Sequence, residues 1–430
     1  MNELNQWFTD NEAAMLETAD YIFRHPETAF QEKQSSRCLA AFLERQGFTI
    51  TGNTAGLDTA FTAVWGSGKP VIGFLAEYDA LPGLGQEISC TRSPLGTVGH
   101  GCGHNLLGTA AAAAACALKA DMEQSGINGT LYVYGCPAEE ILAGKTIMNK
   151  QGVFSGLDAA VTWHPFDKNR ISNDIWLAQD VRNYTFYGVS SHAARSPELG
   201  RSALDACELM NVGVNYLREH VSDDVRIHYS YTSPPQPTNV VPDFARLNYF
   251  IRSAKRGRTD DVVARVDDCA RGAALMTGTK LEIDLEATCK EMKVNRPLAE
   301  LYYEAMKQIP TPEYTAEELQ FAEMISKEAG LQNNGVYFAG LQELEPEAQI
   351  LPVGTDVSDV SHTVPTITIS AAAMCKGTPL HHWSTTAQAG MSIGQKGMLY
   401  AARCMALGTK MLITSPGALK KAWEAHQKED

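Results

Sequence analysis

At 430 residues the chain is longer than one hydrophobic core ordinarily accommodates, so two domains, or one domain carrying a large insertion, are expected. A formal net charge of -14 leaves no surplus of clustered lysine and arginine for nucleic acid or an anionic membrane, and small molecules are the expected partners. The 10 cysteines are spread singly with no C-x-x-C pair, a pattern suited to a reducing compartment; the cytoplasm is the expected location, with most of these thiols ordinary buried side chains.

The opening segment MNELNQWFTDNEAAMLETADYIF is acidic and interrupted by polar residues at short intervals, which reads as an amphipathic helix rather than a secretory leader or a membrane span. Apolar spacing near 3.6 predicts helices over 8–24 and 34–46, the second stopped by Gly47. DTAFTAVWG (58–66) alternates like a half-buried strand, and KPVIGFLAEYDAL (69–81) has the continuous apolar run of a strand buried on both faces. The alanine-rich stretch 105–123 predicts a long, closely packed helix, and strands follow at 129–137 and 158–165. Strands separated by helices imply an α/β domain with a parallel-rich mixed sheet flanked by helices.

After about residue 178 the pattern changes. A strand over 178–191, a helix over 202–220, alternating strands at 225–233 and 243–254, a helix over 260–278 and a strand at 280–288 give the order β-α-β-β-α-β. That is the split, ferredoxin-like α+β arrangement, with two helices on one face of an antiparallel sheet. It is expected as an insertion: residues 1–178 and 291–430 form the α/β domain and residues 179–290 the inserted one. TSPPQPTNVVP (232–242) and LQELEPEAQILPVGTDVSDVS (341–361) are long loops, and such loops in compact enzymes often carry function.

The chemistry begins at GHGCGHNLLG (100–109), where His100, Cys102 and His104 alternate immediately before the alanine helix. No second ligand pair follows at zinc-finger spacing, so a structural finger is excluded. A catalytic centre gathers its ligands from distant strand ends instead. Glu139 and Glu140 in GCPAEE, His164 in TWHP, and His381 or His382 in PLHHWS occupy such positions. Cys102, His104, Glu140, His164 and His381 would together offer too many donors for one tetrahedral ion and suit two ions sharing a bridge. Of the adjacent glutamates, one can ligate while the other takes a proton from water and delivers it to a leaving amine. Singly, each residue has a plainer reading as a buried thiol, a solvated acidic pair or a turn histidine. Their conjunction points to metal-dependent hydrolysis.

Six stretches, GHGCGHNLLGTAA, YGCPAEE, AAVTWHP, SSHAARSPELGRSALDA, PTNVVPDFARLNYFIR and GTPLHHWS, carry a family resemblance that covers essentially the whole chain. In this order they resemble the dinuclear metallo-amidohydrolase and carboxypeptidase family, which includes aminoacylases, indole-acetyl-amino acid hydrolases and aminobenzoyl-glutamate hydrolases. The resemblance implies that Cys102, His104, Glu140, His164 and His381 hold two divalent ions, zinc or manganese with cobalt a further fit. It implies that Glu139 is the general base and that Asp79, in EYDAL, supports a ligand from behind. His381 is favoured over His382 by the family's Pro-Leu-His order. The inserted domain is implied to dimerise and to carry His192 to the active site of the second copy, while Asn239 and Arg252 are implied to hold the substrate's carbonyl and carboxylate. Glu77 stands where many members have aspartate, a replacement shared with the aminobenzoyl-glutamate branch. The implied reaction is hydrolysis of the amide of an N-acyl or aroyl amino acid with an acidic side chain. A dipeptide or general acyl-amino acid is the alternative substrate, and the expected partners extend to a companion subunit. The rival reading is a non-catalytic subunit that keeps the scaffold.

Overall fold

The computed structural model describes residues 2–234 and 236–428, and the chain divides into two units: Met1–Asp174 with Lys293–Gln349 and Asp359–Asp430, and Ile175–Met292 with Ile350–Ser358. In the first unit α1 (Asn2–Arg24) and α2 (Lys33–Arg45) precede β1 (Thr49–Gly52), β2 (Phe61–Ser67) and β3 (Val71–Glu77). Then come α3 (His104–Ser125), β4 (Gly129–Cys136), α4 (Gly144–Lys150), β5 (Ala159–Phe166) and β6 (Arg170–Ile171). These strands and a later one, Thr366–Ala372, make a 7-stranded sheet in which β4, β3, β5 and the later strand lie adjacent and parallel. Antiparallel strands close both sides, β2 and β1 beyond β4 and β6 beyond Thr366–Ala372. The expected parallel-rich mixed sheet flanked by helices is therefore the fold of this unit.

Helix α3 explains why the active-site segments come so close. Its side chains from His104 through Leu118 are buried, and the alanine run lets its backbone lie against the sheet. A Cβ at Gly108 would fall 2.4 Å from the carbonyl oxygen of Glu77, so only glycine permits this approach. The first turn of α3 is thereby held beside the end of β3. Helix α1 begins at Asn2, earlier than the spacing predicts, because Leu4, Trp7 and Phe8 already supply a buried face. Among the elements that the sequence does not announce are the edge strand β1 and the short α4, each too brief to establish a period.

The second unit contains β7 (Ala178–Tyr187), α5 (Ala203–Leu217), β8 (Arg226–Tyr231), β9 (Phe244–Ser253), α6 (Arg256–Thr277) and β10 (Lys280–Cys289). Its sheet is antiparallel in the order β8-β9-β7-β10. Burial in β9 alternates residue by residue, and Leu247, Tyr249 and Ile251 share a core with Met210 and Val214 of α5 and Val262 and Val266 of α6. Helix α6 starts a turn earlier than its apolar spacing suggests, at Arg256, whose guanidinium bonds Asp260 and Asp180. Two later helices of the first unit, α7 (Arg296–Met306) and α8 (Ala316–Glu328), precede the Thr366–Ala372 strand, here β11. After it come α9 (Trp383–Ala389), α10 (Ser392–Thr414) and α11 (Ala418–Gln427).

Candidate active site

Parallel strands deliver side chains at their carboxyl ends, and here β3, β4 and β5 deliver Glu77, the Glu139–Glu140 turn and His164 to one place. Cys102 lies in the loop before α3, and His104 is the first residue of that helix. Two groups of donors result, Cys102 with His104 and His164, and Cys102 with Glu140 and His381; within each, the ligand atoms lie within 4.8 Å of one another. Cys102 belongs to both groups. A further set, Glu77, His104 and Glu139, meets the same distance limit.

The imidazoles are presented in a state suited to metal. Asp79 Oδ1 lies 2.8 Å from His104 Nδ1, so a carboxylate that can only accept fixes the ring proton on Nδ1. In the neutral ring that leaves the lone pair on His104 Nε2, which is buried without a hydrogen-bond partner, 3.4 Å from Glu77 Oε2 and 3.9 Å from Glu139 Oε2. His164 Nδ1 lies 2.7 Å from the carbonyl oxygen of Pro165 and therefore donates to it, turning Nε2 toward Cys102 Sγ at 3.3 Å. Burial, and then the neighbouring His104, push the His164 imidazole down to about 4, which keeps it neutral at physiological pH. Burial and then the charge of Glu140 hold the Cys102 thiol far above its ordinary range, a state that a bound cation reverses. Burial opposes a charge on His104, but Cys102 and Asp79 outweigh it and raise that imidazole, so an arriving cation would displace a proton from Nε2.

The glutamate pair sits on a short turn, Glu139–Ile141, flanked by Ala138 at φ 57 and Leu142 at φ 58. Left-handed backbone at two non-glycine residues persists only where the surroundings impose it. Asp79 supplies part of that restraint, since its Oδ2 accepts the backbone N–H of Glu140 at 2.8 Å. Neither glutamate is on a solvated face: Glu139 is 7% exposed, and the Glu140 side chain 5%. Glu140 Oε1 is buried without a hydrogen-bond partner and Oε2 lies 3.2 Å from His381 Nε2. These partnerless buried donors, with a thiol and imidazoles beside them, fit divalent cations.

The two adjacent histidines separate cleanly. His381 adopts a left-handed backbone, at φ 56, and its N–H bonds the carbonyl of Gly101 at 2.8 Å, tying it to the Cys102 loop. His382 instead caps α9, its Nδ1 lying 2.7 Å from Ser384 Oγ. Glu77 also has a second partner, Lys145 Nζ at 2.8 Å, with both side chains buried. Lys145 gives no signal in the sequence, because a buried lysine in so short a helix looks like any surface residue.

His192, Asn239 and Arg252 belong to the second unit. His192 is exposed, and its Nδ1 accepts the N–H groups of Ala194 and Arg195 at 3.2 and 3.1 Å, which places the proton of the neutral ring on Nε2 as an outward donor. It forms a β-bridge with Val240, beside Asn239, whose carbonyl accepts the Ala193 N–H at 3.0 Å. The Arg252 guanidinium lies 4.1 Å from the Phe250 ring centre, and its Nε is buried without a hydrogen-bond partner.

A parallel-rich sheet whose strand ends gather a thiol, imidazoles and carboxylates defines a metal-dependent hydrolase. No family model matches the chain. It is 43% identical over 437 residues to one of the subunits of p-aminobenzoyl-glutamate hydrolase from Escherichia coli (strain K12), covering 95% of this chain and 91% of that protein, and so belongs to that amidohydrolase family. It is also 32% identical over 278 residues to the Xaa-Arg dipeptidase of Mus musculus, covering 62% and 61% of the two chains. Its fold matches a dinuclear metal-binding peptidase of the M20 family from Bacillus subtilis, with a TM-score of 0.63 at 17% identity over 94% of this chain and 99% of that one. Among the described residues no helix is long and apolar enough to cross a membrane.

Proposed function

We propose that this chain hydrolyses the amide bond of an aroyl or acyl amino acid, with p-aminobenzoyl-glutamate as the first substrate to test, using two divalent ions held by two donor groups that share Cys102. The shared thiol is the observation that carries this reading. His104 and His164 would complete one ion's set and Glu140 and His381 the other's. Zinc or manganese suits this mixture of imidazole, carboxylate and thiolate, and cobalt fits it as well. When bound, the ions lower the pKa of water to roughly 7 and polarise the scissile carbonyl.

Glu139, on the turn but outside the Cys102 groups, takes the proton from the attacking water and delivers it to the leaving nitrogen. His192 of a second copy in a homodimer donates from Nε2 to the carbonyl oxygen as charge develops there. Asn239 assists at the carbonyl. Arg252, pre-set by its aromatic neighbour, holds the carboxylate of the amino acid product. A dipeptide is the second reading, favoured by the similarity to the Xaa-Arg dipeptidase.

Release of free amine is measured with purified, manganese- or zinc-loaded protein on p-aminobenzoyl-glutamate, dipeptides and acyl amino acids, each with a chelated control. Chelator-sensitive cleavage of p-aminobenzoyl-glutamate is expected. Cleavage of dipeptides alone moves the substrate, and silence on the whole panel, with and without a co-expressed companion protein, overturns the enzymatic reading.

A further inference from the structure

Glu32 stands immediately before α2, where an acidic side chain would ordinarily cap its own helix. It makes no such cap: the N–H groups of Gln34 and Ser35 bond Glu27 instead, at 2.9 and 3.0 Å to Oε2. Released from that task, Glu32 turns inward and is 0% exposed. Its Oε1 accepts the N–H of Ala138 at 2.8 Å, and its Oε2 accepts the Thr59 hydroxyl at 2.9 Å. The carbonyl of Thr59 in turn accepts the hydroxyl of Tyr78, the neighbour of Asp79.

Burying a carboxyl so completely is costly unless its bonds matter. Ala138 is the left-handed residue at the entry to the Glu139–Glu140 turn, and Asp79 holds the Glu140 amide at the other side of Glu139. Two buried carboxyls thus clamp the backbone on either side of one side chain. Asp79 also serves His104 directly, whereas the hydrogen bond of Glu32 nearest the donor groups is the one to the Ala138 amide of this turn.

We propose that Glu32 is a positioning residue for the hydrolysis: through the Ala138 amide it fixes the backbone from which Glu139 moves the proton. This rests on the assignment of Glu139 made above. A misplacement of about 1 Å at a reacting group costs on the order of 100-fold in rate.

The test compares Glu32→Leu, Glu32→Asp and Glu32→Gln with the unmodified protein, all metal-loaded. Gln keeps an oxygen for the Ala138 amide; Asp keeps the charge but is shorter by one C–C bond, about 1.5 Å. Expected for Leu and Asp is a kcat lower by about 10- to 100-fold, with KM and metal per chain nearly unchanged, and recovery of most of kcat in Gln. Hydrogen exchange of the 137–143 segment supplies a readout that needs no substrate: the Ala138 amide is expected to exchange at least about 10-fold faster in Leu and Asp but not in Gln. Should Leu fail to fold, Asp carries the comparison. Unchanged exchange and kcat in Asp, or a Gln variant as impaired as Asp, overturns the proposal. If the unmodified protein cleaves no amide while exchange behaves as expected, the functional reading fails and Glu32 still holds the turn.

Discussion

The Asp79 carboxylate and the His104 imidazole meet at 2.8 Å with both side chains wholly buried, and the same carboxylate holds the Glu140 amide through its other oxygen. One residue thereby orients a candidate ligand in each donor group. Asp79→Asn keeps the shape but cannot accept at both positions, because its amide nitrogen would face an N–H. Metal affinity is expected to fall about 10- to 100-fold, read by competition with a chromophoric chelator. An unchanged affinity would remove Asp79 from the metal site.

Sharing Cys102 between both groups gives it a different weight from His381, which belongs to one. Cys102→Ser is expected to lose both ions on dialysis, because each set loses a donor. His381→Ala is expected to keep the ion of the His104–His164 set. Elemental analysis of the dialysed variants separates these outcomes, and equal metal content in the two would show that Cys102 does not serve both sets.

If His192 acts across a homodimer, two inactive variants complement each other. Glu139→Gln and His192→Ala are each expected to be nearly silent, while co-refolding equal amounts restores about one quarter of full activity, since half the dimers are mixed and each has one complete site. Activity that stays absent after confirmed exchange of chains between dimers places His192 elsewhere.

Burial, followed by the charge of Asp79, pushes the Glu32 carboxyl up to about 7 from an ordinary 4.5. A group raised by folding lends stability below its unfolded value, and that contribution is lost as pH rises through the folded one. The window therefore runs from about pH 4.5 to 7. Glu32→Gln does not ionise, so its unfolding free energy relative to the metal-free parent is expected to grow by about 2.5 kcal/mol between pH 5 and 8. Urea melts at the two pH values measure this, and a constant difference would deny the shift.

Legibility in the sequence followed the physics of each signal. The continuous apolar run of β3 and the alternation in β9 announce their burial directly, and both strands are where the periods place them. The spacing of Cys102 and His104, with acidic residues and a histidine after apolar strands, was enough to suggest one centre. The choice between His381 and His382 was not written in side-chain chemistry; it depends on a left-handed backbone at one and a helix cap at the other. Glu32 and Lys145 were invisible for a related reason. Glu32 sits in a locally polar stretch and Lys145 in a short helix, and their burial depends on tertiary partners, the Ala138 turn after β4 and Glu77 at the end of β3.

The close approach at Gly108 has a consequence for how this protein tolerates change. Because the His104 end of α3 is spaced from β3 by bare backbone, the position of a candidate ligand is set by residues that touch neither ion nor substrate. Even a single added methyl group at 108 is expected to be poorly tolerated, because its Cβ would meet the Glu77 carbonyl backbone rather than a side chain that can move.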